Sequence, residues 1–335
     1  MMFNFGLRIG AALLFTSLGA TFATAAPAAK LTPDAINAAT LTGAKLEGDE
    51  PSALGVRVQV LLDREHFSPG EIDGRLGENA KKALRAYAEA QQLPSSDALT
   101  AELWGKLAAD SRPVLTRYTL TKKDVGGPFL KKLPAKMEAM KSLPRLGYTS
   151  AREALAEKFH MSQGLLAALN PGQRFKRAGE TITVVDVAPA TPDTVEAQRL
   201  EVDKTRQTVK AFDATGRLIA FYPATVGSED KPSPSGTLKV TDVSPNPTYG
   251  YNPDYKFKGI KSKKPFEIKP GPNNPVGTMW IGLSEQGYGI HGTPEPSHVS
   301  KAESHGCVRL TNWDAQRIAA LVGKGTPVEF IDALR

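Results

Sequence analysis

Cysteine is almost missing from this 335-residue chain, which has one, Cys307. A single thiol excludes an intramolecular disulfide framework and the C-x2-C knuckles of common zinc modules. Histidine is sparse, with five residues in all. Three of them, His291, His298 and His305, precede the cysteine as H-x6-H-x6-H-x-C. That spacing lacks the tight ligand pair of known zinc signatures, although the four side chains would suffice for a tetrahedral site, so zinc stays open at this level. No apolar run approaches the length needed to cross a hydrocarbon layer of ~30 Å. The net charge of +7 is modest for the length, and no basic tract is long enough to act alone, which argues against nucleic acid as a partner. The densest basic run, Lys256–Lys269, with Tyr255, Phe257 and Phe266, reads as a loop or edge strand.

What the chain does have is concentrated near its end. Tyr288-Gly-Ile-His291-Gly292-Thr293 is followed, after a short polar loop, by Ser304-His305-Gly306-Cys307-Val308-Arg309. A thiol is mostly protonated at neutral pH and needs a base or positive potential beside it to act as a nucleophile. Imidazoles and an arginine are at hand. Gly306 leaves the backbone before the sulfur uncrowded, so N–H groups there are candidates for an oxyanion site. Cys307 lies among polar residues rather than in an apolar run, unlike a thiol that serves as a small buried hydrophobe.

At the N-terminus, Arg8, the apolar Ile9–Leu18 and the small-x-small Ala23-Thr24-Ala25 read as a signal peptide over residues 1–25. Export would leave a mature charge of about +6 and place an unpaired thiol in an oxidising compartment, where an odd cysteine points to a reactive group.

The C-terminal stretch resembles the active-site signature of the L,D-transpeptidases, the YkuD-like domain, in which a His-Gly pair is followed by Ser/Thr-His-Gly-Cys. Pro234-Ser-Gly236-Thr237, with Ser233 in place of the usual threonine, and Gly271-Pro-Asn-Asn274-Pro275-Val-Gly277 are similar to flanking segments of that family. The resemblance implies Cys307 as nucleophile and His291 as its base. It leaves His305 to orient the loop, the Gly292 carbonyl to hold the His291 ring, and Gly306 to help form the oxyanion site. Arg309, Ser304, Tyr288 and Asn274 are the expected substrate contacts, and neither metal nor cofactor is implied. The implied substrates are peptidoglycan stem peptides and glycan in the periplasm or cell wall. The same acyl-enzyme would serve cross-linking, carboxypeptidase action by water, or anchoring of an outer-membrane lipoprotein through its lysine. An inactive wall-binding protein is the reading from a different class.

The rest of the chain reads as a multidomain arrangement. Residues 26–52 are expected as a linker with a short helix at Pro33–Ala39. Residues 53–110 read as a small helical bundle, with Ala80, Ala83, Leu84 and Tyr87 on one helical face. Its Asp73-Gly74…Gly77 and Leu93-Pro94 resemble a peptidoglycan-binding domain. Residues 111–146, rich in Lys and Pro, are expected as a linker. Residues 147–190 read as helix, helix, strand, with Asn170-Pro-Gly172 after the second helix, and resemble a LysM module. His160 is expected to pack at a helix end. Residues 197–332 turn to strands, with one late helix at Trp313–Val322, and are expected to form a β-rich, β-sandwich-like catalytic domain.

Overall fold

The computed structural model describes residues 1–2, 31–42, 50–95, 98–189, 195–227, 232–255, 260–301 and 306–332. Residues 3–25 of the expected signal peptide, Ser304 and His305 lie outside the described residues.

The N-terminal half starts with α1 (Pro33–Asn37), α2 (Ala53–Arg64), α3 (Glu78–Ala90) and α4 (Ala101–Leu107). Thr32, Ser52 and Thr100 cap α1, α2 and α4 by accepting a backbone N–H, each cap worth about 1 kcal/mol. Residues 26–52, expected as a linker, are therefore partly structural. Ile36 is buried in the core, and the Asn37 side chain accepts the amides of Val114 and Leu115.

The stretch 111–146 also departs from expectation. It contains β1 (Leu115–Thr119), α5 (Lys122–Gly126) and α6 (Met137–Met140). Next come α7 (Ala151–Lys158), α8 (Gln163–Leu169) and β2 (Thr181–Val185), and β1 pairs with β2 antiparallel over five residues. Asn170 ties the end of α8 to this ribbon, its amide bonding both ways with Thr183. The helical bundle and the α+β unit are not separate. Residues from Ile36 to Val185 share one hydrophobic core, which also takes in Phe212, Leu218 and Phe221 from the C-terminal half.

The C-terminal half is β-rich with one late helix, as expected. Its strands are β3 (Arg199–Asp203), β4 (Thr208–Phe212), β5 (Leu218–Pro223), β6 (Thr225–Val226), β7 (Gly236–Pro245), β8 (Tyr249–Tyr251), β9 (Phe266–Ile268), β10 (Met279–Leu283), β11 (Gly289–His291), β12 (Val308–Arg309) and β13 (Pro327–Ile331). The helix, α9 (Asn312–Leu321), is capped by Thr311. Among the described residues, nine of these strands form one sheet in the order β5-β4-β3-β13-β7-β10-β11-β12-β6, while β8 and β9 pair as a separate ribbon. Apolar residues of both sheet halves and of α9, among them Val202, Tyr222, Ile281, Ile290, Val308 and Ile318, close on a single core.

The two halves meet through buried polar contacts. The carboxylate of Asp63 on α2 takes a two-pronged bond from Arg317 on α9, at 2.9 and 3.0 Å. His160 at the end of α7 sets Nδ1 3.2 Å from the same carboxylate and stacks its ring on Trp313 at 5.0 Å. His160 is thus an interface residue as well as a helix-end one. Ser68 donates to Asp314 at 2.9 Å, and the Ser68 amide donates to the Phe221 carbonyl while the Phe221 amide donates to the His66 carbonyl, so that Phe67 forms a bridge to β5. Burial pushes the Asp63 carboxyl up, but Arg317 and then His160 more than reverse this and hold it well below the usual carboxylate range. Asp314, buried and beside Asp63, goes the other way, to about 7, despite the opposing pull of Arg317.

These opposite shifts give opposite expectations. Asp63→Asn leaves Arg317 buried without its charge partner and is expected to cost about 3–5 kcal/mol in chemical denaturation at pH 7. The folded value of Asp314 lies above its ordinary 3.8. Its contribution is therefore fully present near pH 4 and lost as pH rises through about 7. Asp314→Asn should match wild type in thermal midpoint near pH 4 and exceed it increasingly as pH rises to 8.

Candidate active site

The site is built by strand register. Residues alternate faces along a strand, and directly paired residues share a face. β10 pairs antiparallel with β11, setting Trp280 opposite His291. β11 pairs parallel with β12, setting His291 beside Arg309 and Ile290 beside Val308. Ile281, Ile290 and Val308 point into the core. Trp280, His291 and Arg309 therefore line the opposite face, and Cys307 lies two residues before Arg309, in the bend that leads into β12. The apolar alternation that stabilises the sheet thus collects the chemistry on the other side.

His291 is buried, with its ring stacked on Trp280 at 5.7 Å and an interplanar angle of 16°. Its Nδ1 is 2.7 Å from the carbonyl oxygen of Gly292. A carbonyl only accepts, so Nδ1 carries the proton and Nε2 keeps its lone pair. Burial, and then the charge of Arg309, push the imidazole down to about 3, against the opposing bond to Gly292. The ring is a neutral acceptor across the physiological range.

Cys307 is half-buried, with Sγ 3.6 Å from the Gly287 carbonyl. Gly306 has φ of +94°, a region that side-chain-bearing residues rarely occupy, and its carbonyl accepts the hydroxyl of buried Ser233 at 2.7 Å. Burial pushes the Arg309 guanidinium down, while Glu295 and Cys307 pull it back up. Arg309 Nε is buried with no hydrogen-bond partner among the described residues. Tyr288 is half-exposed near the sulfur. Its phenol is raised by burial, by Glu285 and by Cys307. His298 is exposed and faces Glu295 at 3.2 Å.

Asn274 requires correction as a substrate contact. It is wholly buried, its amide donating to the Ile268 and Lys269 carbonyls while its oxygen accepts the amide of Val276. It shapes a turn and has no face toward a substrate. Other residues escaped sequence reading. Trp280 looked like one more strand residue, and Ser233 like a conservative exchange in a turn. Asn312 fills the space where a Cβ on Gly277 or Gly292 would stand, 1.9 and 2.2 Å from its Oδ1. The only sequence signal for Asn312 was the coincidence of glycines at both positions. Among the described residues no cluster of three or more metal-binding side chains forms.

A family model of the YkuD L,D-transpeptidase catalytic domain matches residues 197–330. A candidate L,D-transpeptidase of Bacillus licheniformis, YkuD, is 30% identical over 178 residues, covering 52% of this chain and 90% of that protein. The chain belongs to the L,D-transpeptidase family. The enzyme is also 28% identical over 194 residues to the probable L,D-transpeptidase YbiS of Escherichia coli, covering 56% of this chain and 61% of that one. The NMR structure of the catalytic domain from an E. faecium L,D-transpeptidase is 23% identical, with a TM-score of 0.32, covering 41% of this chain and 99% of that one.

The close fit around Gly292 gives a direct test of this L,D-transpeptidase's geometry. Gly292→Ala drives a methyl into Asn312 and should lower both thermal midpoint and turnover. The double variant Gly292→Ala/Asn312→Gly should recover part of the lost stability.

Proposed function

We propose that this L,D-transpeptidase is exported and acts on peptidoglycan stem peptides through a thioester on Cys307. The observation that supports the reading is the pairing of His291 with Arg309, two residues after Cys307, with the imidazole Nδ1 held by the Gly292 carbonyl.

In this mechanism, Nε2 of His291 takes the Sγ proton of Cys307, and the thiolate attacks the carbonyl between the third, L-configured stem residue and the terminal D-alanine. Backbone N–H groups around Gly306–Cys307 stabilise the oxyanion, a stabilisation that such donors supply most strongly in a desolvated site. The imidazolium returns its proton to the departing D-alanine amine, leaving the acyl group on sulfur. An acceptor amine then gives a proton to His291, attacks the thioester and expels the thiolate. That amine belongs to a neighbouring stem peptide in cross-linking; a lipoprotein lysine or water would use the same residues. Arg309 keeps a cation beside the thiolate and is the candidate partner for a stem carboxylate, with Tyr288 at the rim. His305 and Ser304 are assigned to orienting the loop and contacting substrate on the strength of the motif. No cofactor enters.

The N-terminal half, with its likeness to peptidoglycan-binding and LysM modules, is read here as a buttress first and a wall contact second. Its core runs on into Phe212, Leu218 and Phe221. Its Asp73-Gly74 turn faces inward, held by buried Gln59, which bonds both backbone amides and the Asp73 carboxylate. Among the described residues no helix is long and apolar enough to cross a membrane.

Cys307→Ala should abolish both turnover of a disaccharide-tetrapeptide and covalent labelling by a carbapenem, read by intact mass; retained turnover would sink the mechanism. His291→Asn should lose about 10²–10⁴-fold in acylation rate at neutral pH. Part of that loss should return at high pH, where the thiol ionises unaided. Because the imidazole is held down to about 3, wild-type acylation should show no protonation limb near pH 6.5 and should decline only in stronger acid.

A further inference from the structure

Helix α7 carries two carboxylates, Glu153 and Glu157, four residues apart on one face. Like charges at that spacing disfavour a helix, so partners are required. Each has one partner from the catalytic half. The amide of Asn273 donates to Glu153 at 2.8 Å, and the amide of Asn312 donates to Glu157 at 3.0 Å. Asn273 and Asn312 are themselves buried. Tyr148 adds its hydroxyl to the same Glu157 oxygen at 3.0 Å.

Asn312 reaches further. With its NH2 engaged by Glu157 and by the Pro272 carbonyl, its Oδ1 is turned to accept the Thr278 amide at 3.0 Å. In that orientation Oδ1 occupies the space left by the missing side chains of Gly277 and Gly292. The carbonyl of Gly292 in turn holds Nδ1 of His291. A continuous set of contacts therefore runs from α7 of the N-terminal half to the imidazole: Glu157, Asn312, Gly292, His291. If Asn312 rotated, its NH2 would face the Thr278 amide, donor against donor. The Glu157 and Pro272 oxygens, which both accept from the Asn312 NH2, oppose this rotation together with the Thr278 amide; of the three only Glu157 belongs to the N-terminal half, and burial raises its carboxyl to about 7.

We propose that Glu157 is a positioning residue for transpeptidation, fixing the Asn312 amide so that it seats the Gly292 backbone and, through it, the His291 ring. The proposal rests on the reading of Cys307 as nucleophile and His291 as base. It gives the N-terminal half a part in the reaction that no motif of that half suggests.

The test uses the full chain and compares wild type with Glu157→Gln, Glu157→Asp, Glu157→Ala, Asn312→Ala and the double variant Glu157→Ala/Asn312→Ala. Single-turnover acylation of Cys307 by a carbapenem is followed by mass, with thermal midpoints alongside. Glu157→Ala should lower the limiting acylation rate about 10- to 100-fold, the range that small misplacements of a reacting group produce, with the half-saturating concentration unchanged. Glu157→Gln should stay within about threefold of wild type, because its amide oxygen still accepts both bonds. Glu157→Asp, one methylene short, should resemble Glu157→Ala and carries the test should the alanine variant not fold. The double variant should be no slower than Asn312→Ala, since both act through one contact. Near pH 10, where the thiol needs no base, all variants should converge on wild type. Wild-type rates in Glu157→Ala and Glu157→Asp, a glutamine variant as slow as the alanine one, or a deficit that persists at pH 10 would each overturn the proposal. His291→Asn run in parallel separates the two ideas: normal acylation there refutes the base assignment, whereas a slow His291→Asn beside a fast Glu157→Ala refutes only the role of Glu157.

Discussion

The parallel pairing of β11 with β12 is the constraint on which the site depends. It joins two segments that are separated in the chain by a loop and sets them in a register that a one-residue slip would invert, sending His291 and Arg309 inward and Ile290 and Val308 outward. The buried aliphatic residues therefore do more than stabilise the sheet. By refusing the other register, they keep His291 and Arg309 side by side on the outer face. Trp280 adds a flat wall to the same face, so the imidazole is confined by a ring, a backbone carbonyl and a guanidinium at once.

Confinement explains the electrostatics. An imidazole with this little solvent does not hold a proton readily, and a neighbouring guanidinium discourages it further. Both effects keep the lone pair free. The same guanidinium favours a thiolate, so one cation disfavours charge on the histidine and favours it on the cysteine. Three glycines make room for this. Gly306 supplies a backbone conformation, whereas Gly277 and Gly292 supply space for Asn312.

The candidate site could be proposed from the sequence because its signals are local: His291-Gly292 and Gly306-Cys307 are each adjacent pairs, in types that leave few other chemical readings. The β-rich character of the C-terminal half was legible in the sequence, and so was one late helix, expected at Trp313–Val322 and found as α9. What escaped was non-local. Leu115–Thr119 alternates poorly and is a strand only because Thr181–Val185 lies across from it, with helices in between. Asp63 and Arg317 each look like an ordinary charge on a helix, and His160 like a helix-end packing residue, until folding brings them together. Asn274 was misread for a different reason. A polar residue in a Gly-Pro-rich turn has the same signature whether it faces a ligand or satisfies its own carbonyls.

The bridge from Phe67 to Phe221 has one more consequence. Strand β5 lies at one end of the nine-stranded sheet, and nearly all its side chains are buried. Such a strand, if left open, offers unpaired amides and carbonyls to any other chain. Here the enzyme's own N-terminal half occupies part of that border, while the opposite border, β6, is two residues long and too short to recruit a neighbour. A shortened enzyme consisting of the catalytic half alone would leave this margin uncovered, the kind of edge that pairs with other chains.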